Sequence, residues 1–92
     1  MVKYCVARED SVYKCFPDLA CCDDGRLVLI YRESLFHVCI PFARLQIQIS
    51  YDRGMTWTRK KLLDTIEDTS VGGWNNPRLV SLGGQKLIAI CE

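Results

Sequence analysis

Short runs of aliphatic, β-branched and aromatic residues recur along the chain, and turn-forming residues separate them. The clearest run covers residues 43–50, in which apolar and polar side chains alternate from Leu45 to Ile49. Alternation with a period of two is typical of a strand that buries one face. Almost no stretch places apolar residues at the spacing of a helical face. The pattern therefore predicts an all-β fold.

Turn signals divide the chain into four successive predicted strands. An Asp-Asp-Gly sequence at residues 23–25 is typical of a tight hairpin turn. Strands that follow one another through short turns are expected to form an antiparallel meander. Residues 1–7 are predicted to form a leading strand that belongs to a neighbouring unit or to a closure of the fold. The four strands of the meander are predicted over residues 18–22, 26–32, 43–50 and 56–63.

The chain also matches itself at an offset of sixty residues, the spacing from Pro17 to Pro77. Four-stranded units that recur at a fixed period are typical of β-propellers. Two unrelated hairpins of similar composition are the alternative. The matched pairs are Leu19 with Leu79, Ala20 with Val80, Arg26 with Lys86, Leu27 with Leu87, Val28 with Ile88 and Ile30 with Ile90.

Between the third and fourth predicted strands, residues 50–57 read Ser-Tyr-Asp-Arg-Gly-Met-Thr-Trp. The side chains of Ser50 and Asp52 are predicted to bond to backbone amides of a turn, and Gly54 to take the positive φ that closes it. Trp57 is predicted to begin the next strand as a hydrophobic plug. This spacing serves folding rather than catalysis.

Composition argues against several classes of partner. Twelve Lys and Arg residues against eleven Asp and Glu residues give a formal net charge of +1, and no basic run is present. A nucleic-acid partner is therefore not predicted. No apolar stretch approaches the roughly 20 residues of a membrane helix, and the first residues lack the apolar core of a signal peptide. No membrane partner is predicted, and the compartment stays open, with the cytoplasm as the default.

Six cysteines are present, but their spacing does not suit a metal site. The chain has no Cys-x-x-Cys pair and one histidine, His37, whereas zinc takes four ligands in close pairs. No metal and no cofactor are predicted. Nothing in the sequence indicates the oxidising compartment that disulfides require. The thiols are expected to be small buried hydrophobes.

The turn at residues 50–57 resembles the Asp-box of the sialidase superfamily, Ser-x-Asp-x-Gly-x-Thr-Trp, at all five signature positions. The resemblance continues through residues 16–20, 24–27 and 31–33 and covers nearly the whole chain. It implies a six-bladed β-propeller, with the Asp-boxes on one face and the ligand site near the central axis on the other.

The resemblance also implies that the chain holds about one and a half blades of such a propeller. Residues 16–63 are then the first blade, and residues 76–92 are the first two strands of the second blade. A repeat unit buries its faces against its neighbours. We therefore expect residues 88–90 to form an open edge, which the remainder of a longer chain or a second copy would cover.

Sialidases bind the sugar carboxylate with a cluster of arginines, and they use an acid/base aspartate and a tyrosine nucleophile paired with a glutamate. The resemblance implies that Arg32 is the second of these arginines and that it points towards the axial site. Its guanidinium can hold a carboxylate with two hydrogen bonds. The position of the first arginine is occupied by Cys15, with Lys14 beside it.

Two loops supply the other implied catalytic residues. His37 lies where the family carries its acid/base aspartate and could exchange a proton near neutral pH. Alternatively, the histidine caps a strand end or bonds a backbone carbonyl. Asp68 is a possible carboxylate of the site. Glu33 is as ambiguous as His37, because a single exposed carboxylate in a loop is most often solvated. The implied catalytic set is Arg32, His37 and Asp68.

The loop before Pro77 supplies the implied sugar contacts. Asn75 and Asn76 stand where relatives carry Arg-Asp, so amides that can bind hydroxyl groups replace charges. Trp74 is expected either to stack on a sugar ring or to plug the loop against the blade. The implied substrate-binding set is Arg32, Trp74 and Asn76.

Two functions follow from these residues. The first is a fragment of a sialidase-like glycoside hydrolase with a glycan ligand. The isolated chain is not expected to be catalytically competent, because the family's tyrosine and glutamate lie in later blades. The second is a non-catalytic carbohydrate-binding or self-assembling propeller module. Whether the chain is part of an enzyme stays open at this point.

Overall fold

The computed structural model describes residues 5–36, 42–66 and 75–91. Within these ranges the chain forms strands and turns and no helix, which confirms the predicted all-β class. No helix long and apolar enough to cross a membrane occurs in this part of the chain. The strands are β1 (Tyr13–Cys21), β2 (Leu27–Ser34), β3 (Ala43–Ser50), β4 (Lys61–Ile66), β5 (Arg78–Ser81) and β6 (Leu87–Ile90).

Strands β1 to β4 form one antiparallel sheet in sequence order, so the predicted meander is confirmed. The turn between β1 and β2 is the predicted hairpin. The Cys22 amide donates to the Arg26 carbonyl at 2.8 Å, and Gly25 takes a φ of 88°. An L-residue at that φ would be strained, so glycine is required there.

Strand β1 begins five residues earlier than predicted because it contains a β-bulge. Pairing shifts between Cys15 and Asp18, so Phe16 and Pro17 together face Tyr31 of β2. Phe16 has a φ of 53°, which turns the strand at this point. Proline lacks an amide donor and fits the unpaired position of a bulge.

Strand β4 begins at Lys61 rather than at residue 56, which corrects the predicted fourth strand. Residues 56–60 contact β3 through Thr58, which uses its side chain as well as its backbone instead of a regular strand ladder. The Thr58 amide donates to the Ile49 carbonyl at 2.9 Å, and the Ile49 amide donates to the Thr58 hydroxyl at 3.0 Å. Of the predicted leading strand, residues 5–7 form no strand, and residues 1–4 lie outside the described residues.

Strands β5 and β6 form a second, two-stranded sheet that repeats the register of the first hairpin at the predicted offset. Asp18 pairs with Ile30, and Arg78 pairs with Ile90. The turns also correspond, because the Leu82 amide donates to the Lys86 carbonyl at 2.9 Å as Cys22 does to Arg26. The internal repeat thus holds at the level of backbone pairing.

The two hairpins lie side by side, with β5 against β1. Asp18 of β1 accepts a hydrogen bond from the Leu79 amide at 2.7 Å through Oδ2. At the turns, the Asp23 amide donates to the Gly84 carbonyl at 3.0 Å, and the Gly84 amide donates to the Asp23 carboxylate. Two aspartate side chains and one backbone hydrogen bond therefore hold one hairpin against the next.

Equivalent positions of the two hairpins differ in burial. Val28 and Ile30 are 4% and 0% exposed, whereas Ile88 and Ile90 are 45% and 56% exposed. The first pair lies inside a four-stranded sheet, whereas the second lies on a sheet of two strands. The second hairpin is therefore an aliphatic surface that the described residues leave uncovered.

The described cysteines are free thiols, and most of them are not buried. Only Cys22 among them lies in the core, so the expectation of uniformly buried thiols is wrong. Cys39 lies outside the described residues. Cys5 and Cys21 are exposed, and Cys15 and Cys91 are half-buried.

Candidate functional site

The turn at residues 50–57 is closed by the predicted side-chain bonds. The buried Ser50 hydroxyl accepts from the Gly54 amide at 2.7 Å and donates to Asp52 Oδ1 at 2.8 Å. Asp52 Oδ1 accepts the Thr56 amide at 2.8 Å. Hydrogen bonds from the Thr56 side chain and amide lower the pKa of Asp52. The indole of Trp57 donates to the Gly54 carbonyl at 3.0 Å.

Arg32 lies at the other end of the sheet and is 1% exposed. Its Nη1 donates to Oδ1 of Asn75 at 2.9 Å, and its guanidinium lies 5.0 Å from the centre of the Phe16 ring. A cation above an aromatic face is attracted to the ring. Arg32 thus joins β2 to the segment that enters the second hairpin.

Cys15 lies directly opposite Arg32 in the β1–β2 register. Burial raises the pKa of its thiol, against the opposing charge and hydrogen bond of Arg32. A neutral thiol donates weakly and carries no positive charge at neutral pH. Cys15 therefore cannot bind a carboxylate by charge.

Of the predicted site residues, Arg32 and Asn76 lie within the described residues. Arg32 contacts Asn75, which directly precedes Asn76. Asn76 is half-buried between Asn75 and the buried Pro77. The remaining predictions lie outside the described residues, namely His37, Asp68 and Trp74. The Arg32 side chain is thus buried against Asn75 and Phe16 and is not exposed in an open site.

A second cluster surrounds Glu33, the residue expected to be solvated. That expectation is wrong, because Glu33 is 0% exposed. Its Oε2 accepts hydrogen bonds from Lys14 and, at 2.9 Å, from Lys60, and its Oε1 accepts from Gln46 Nε2 at 3.0 Å. Burial favours the neutral acid, but the two lysines and Gln46 outweigh it and lower the pKa of Glu33.

The two lysines share a second carboxylate. Oε1 of Glu9 lies 3.0 Å from Nζ of Lys14 and 2.7 Å from Nζ of Lys60. Hydrogen bonds from Lys60 and Lys14 lower the pKa of Glu9. Despite partial burial, both carboxylates together raise the pKa of each lysine. All four groups are therefore charged at neutral pH.

Tyr31 and Gln48 continue this face of the sheet. The buried Tyr31 hydroxyl donates to Gln48 Oε1 at 2.7 Å, and Gln48 Nε2 donates to the Thr58 carbonyl at 2.9 Å. Burial, with the nearby Glu33 charge, raises the pKa of Tyr31 to about 12. Lys14 Nζ lies 5.2 Å from the centre of its ring. Tyr31 is therefore a neutral hydrogen-bond donor.

Two open hollows lie between residues 5–9 and this face. One, of about 220 Å³, is lined by the polar side chains of Arg8, Glu9, Gln48 and Lys60 beside Tyr31. The other, of about 390 Å³, is mostly apolar and is bounded by Lys14 and Tyr31. Sequence reasoning missed this cluster, although Lys14 and Glu33 are direct partners once the register is known.

Neither a protein-family model, nor a curated protein, nor a solved structure matches the chain significantly. Function must therefore be argued from the residues themselves. Two arrangements qualify, namely the contact of Arg32 with Asn75 and the lysine pair around Glu33.

Proposed function

We propose that the chain is the opening part of a sialidase-like β-propeller that acts on glycans. The β1–β4 sheet would be one blade, and the β5–β6 hairpin would be the first half of the next. Three observations support this assignment: the hydrogen-bonded turn at residues 50–57, the matching registers at an offset of sixty, and the position of β5 beside β1. First strands of successive blades lie side by side in propellers.

The contact of Arg32 with Asn75 carries the functional part of the proposal. It joins a guanidinium from the first unit to an amide that enters the second unit, at the end of the sheet away from the Asp-box-like turn. A guanidinium fork suits a sugar carboxylate, and amides suit sugar hydroxyls. Arg32, Trp74 and Asn76 would form the sugar-binding wall, with His37 and Asp68 as the proton-exchanging groups.

Catalysis on this scaffold requires residues beyond the chain. The tyrosines at positions 4, 13, 31 and 51 match none of the family's nucleophile positions. Tyr31 is also buried, with a pKa raised to about 12, which disfavours the phenolate. We therefore assign substrate binding to this chain and bond cleavage to a longer protein that contains it.

The test is turnover of a fluorogenic sialoside by the longest natural protein that contains this sequence. Arg32→Lys keeps the charge but removes the fork, and it should lower kcat/KM by about tenfold or more at a temperature where the variant is still folded. Because Arg32 is buried and bonded to Asn75, its Tm should fall as well. Arg26→Lys, in the β1–β2 turn, is the matched control and should leave kcat/KM unchanged. Absence of turnover, or equal loss in both variants, would contradict the hydrolase assignment.

A second candidate, a non-catalytic glycan-binding module, is favoured by Cys15. The residue opposite Arg32 is a thiol with a raised pKa, so one of the charged anchors of the family is missing. In this case the protein binds glycans on an array without releasing sugar. Trp74→Ala should abolish that binding, whereas Tyr51→Ala, at an exposed aromatic of the distant turn, should preserve it. Release of free sugar by the purified protein would exclude this candidate.

A further inference from the structure

Two lysine ammonium groups converge on a single carboxylate oxygen, Glu9 Oε1, at 3.0 Å for Lys14 and 2.7 Å for Lys60. Lys14 belongs to β1, and Lys60 directly precedes β4. Glu9, by contrast, lies in a segment without strand pairing. The lysines are thus part of the sheet framework, whereas Glu9 is brought to them by a loop.

Glu33 fixes the lysines from inside the sheet. It is fully buried and accepts from both ammonium groups, so it holds their spacing whether or not Glu9 is present. The Glu9 side chain is 41% exposed, and the Lys14 and Lys60 side chains are 14% and 34% exposed. One carboxylate is therefore an internal support, and the other occupies a position open to solvent.

The balance of charges makes the position of the Glu9 carboxylate favourable for a negatively charged group. Lys14 and Lys60 supply two positive charges, and Glu33 neutralises one of them. With Glu9 absent, one positive charge remains on two partly buried ammonium groups that both point to the same place. A carboxylate at this place receives two charge-assisted hydrogen bonds, which a neutral group receives only in weaker form.

The surroundings provide space for a small ligand rather than a polymer. The hollow of about 220 Å³ beside Lys60 adds the polar groups of Arg8, Gln48 and Tyr31. Gln48 is 5% exposed, and its amide is fixed by Tyr31 and by the Thr58 carbonyl. Because Arg32 and Glu33 are adjacent in β2, this site lies on the opposite face of the sheet from Arg32.

We propose that Lys14 and Lys60, held by Glu33, form a binding site for a small carboxylic acid, and that Glu9 occupies this site as an internal substitute. The ligand binds as its carboxylate when the Glu9 side chain turns away from the two lysines. The site is separate from the proposed sugar-binding wall at Arg32, and it does not depend on the proposed function.

The test replaces Glu9 and restores its carboxylate from solution. Propionate reproduces the end of a glutamate side chain, and its binding to the 92-residue protein can be followed by amide NMR shifts at constant ionic strength. The Glu9→Ala protein should bind propionate about fivefold more tightly than the unaltered protein. Asp10→Ala is the matched control, because it removes the same charge from the same segment, and Asp10 pairs only with Arg8 in the described structure.

Three results would overturn the proposal. The first is equal propionate affinity in the unaltered, Glu9→Ala and Asp10→Ala proteins. The second is equal binding of the uncharged propionamide by Glu9→Ala. The third is unchanged propionate affinity when Lys60→Met is added to Glu9→Ala. If Lys60→Met does not fold, propionate-dependent shifts of the Lys14 and Lys60 side-chain signals in Glu9→Ala give the same decision, and their absence contradicts the site.

Discussion

Ser50 is the residue on which the turn at residues 50–57 most depends. It is fully buried, and its hydroxyl both accepts from the Gly54 amide and donates to Asp52. Ser50→Ala leaves that amide without its acceptor, and we expect the free energy of unfolding to fall by about 1–3 kcal/mol. Urea denaturation measures it. Ser81→Ala, at an exposed serine, is the control and should cost less than about 0.5 kcal/mol.

Glu33 should make stability depend on acid pH. Its pKa is held below the ordinary value, so its contribution is complete above about pH 4.3 and is lost as the pH falls through the folded-state pKa. Glu33→Gln should lower stability by about 3 kcal/mol at pH 7, because two ammonium groups lose their buried partner. Denaturation at pH 7, 5, 4 and 3 should show a flatter acid dependence for Glu33→Gln. An identical slope would contradict this assignment.

The residue scale also shows the limit of sequence reasoning about the site. The bonds of Ser50 and Asp52 could be predicted because their partners lie within four residues. The burial of Glu33 could not, because its partners Lys14 and Lys60 are 19 and 27 residues away. A carboxylate in isolation indicates a solvated group. Glu33 is buried only because the register of the folded sheet brings its partners next to it.

At the scale of elements, the Asp18 side chain joins β5 to β1. Its carboxylate accepts the Leu79 amide at 2.7 Å and lies 3.8 Å from Arg78 Nε. Asp18→Ala should accelerate hydrogen exchange at the Leu79 amide by about tenfold, because that donor loses its acceptor, while β2 and β3 amides keep their protection. Asp64→Ala in β4 is the control. Unchanged exchange at Leu79 would show that Asp18 does not hold this amide.

Strand prediction succeeded where alternation and turn chemistry agree. Strand β3 has the predicted bounds, and β2 differs by a few residues at its ends. The start of β1 was not predictable because a proline such as Pro17 normally interrupts a strand. In the folded sheet, the bulge at Phe16 accommodates it. The start of β4 was misplaced because residues 56–60 have strand-like composition but bond to β3 through Thr58.

At the scale of the whole molecule, the exposed aliphatic surface of the second hairpin should cause self-association. Ile88 and Ile90 lie two residues apart on β6 and therefore face the same side. Replacing both with lysine should weaken association by more than about tenfold, since each buried isoleucine stabilises an interface by about 1.5–3 kcal/mol. Light scattering after size-exclusion chromatography measures the mass.

The control for this prediction is Met55→Lys. Met55 is 65% exposed and lies in the turn at residues 50–57, away from β6. At one position instead of two, Met55→Lys also replaces an exposed apolar side chain with a positive charge, without touching the second hairpin. A monomeric unaltered protein, or equal weakening by Met55→Lys, would show that this surface does not mediate association.

The environment of Glu33 has a consequence for how the first sheet assembles. Its partners come from every part of that sheet: Lys14 from β1, Gln46 from β3, and Lys60 from the residue before β4. A hairpin or a three-stranded intermediate would bury the charge with part of its partners missing, which is costly. The sheet should therefore form in one all-or-none step. Stopped-flow refolding should show one fast phase, followed only by slow phases from the three prolines, and pulse-labelling hydrogen exchange should show no early species that protects β2 alone.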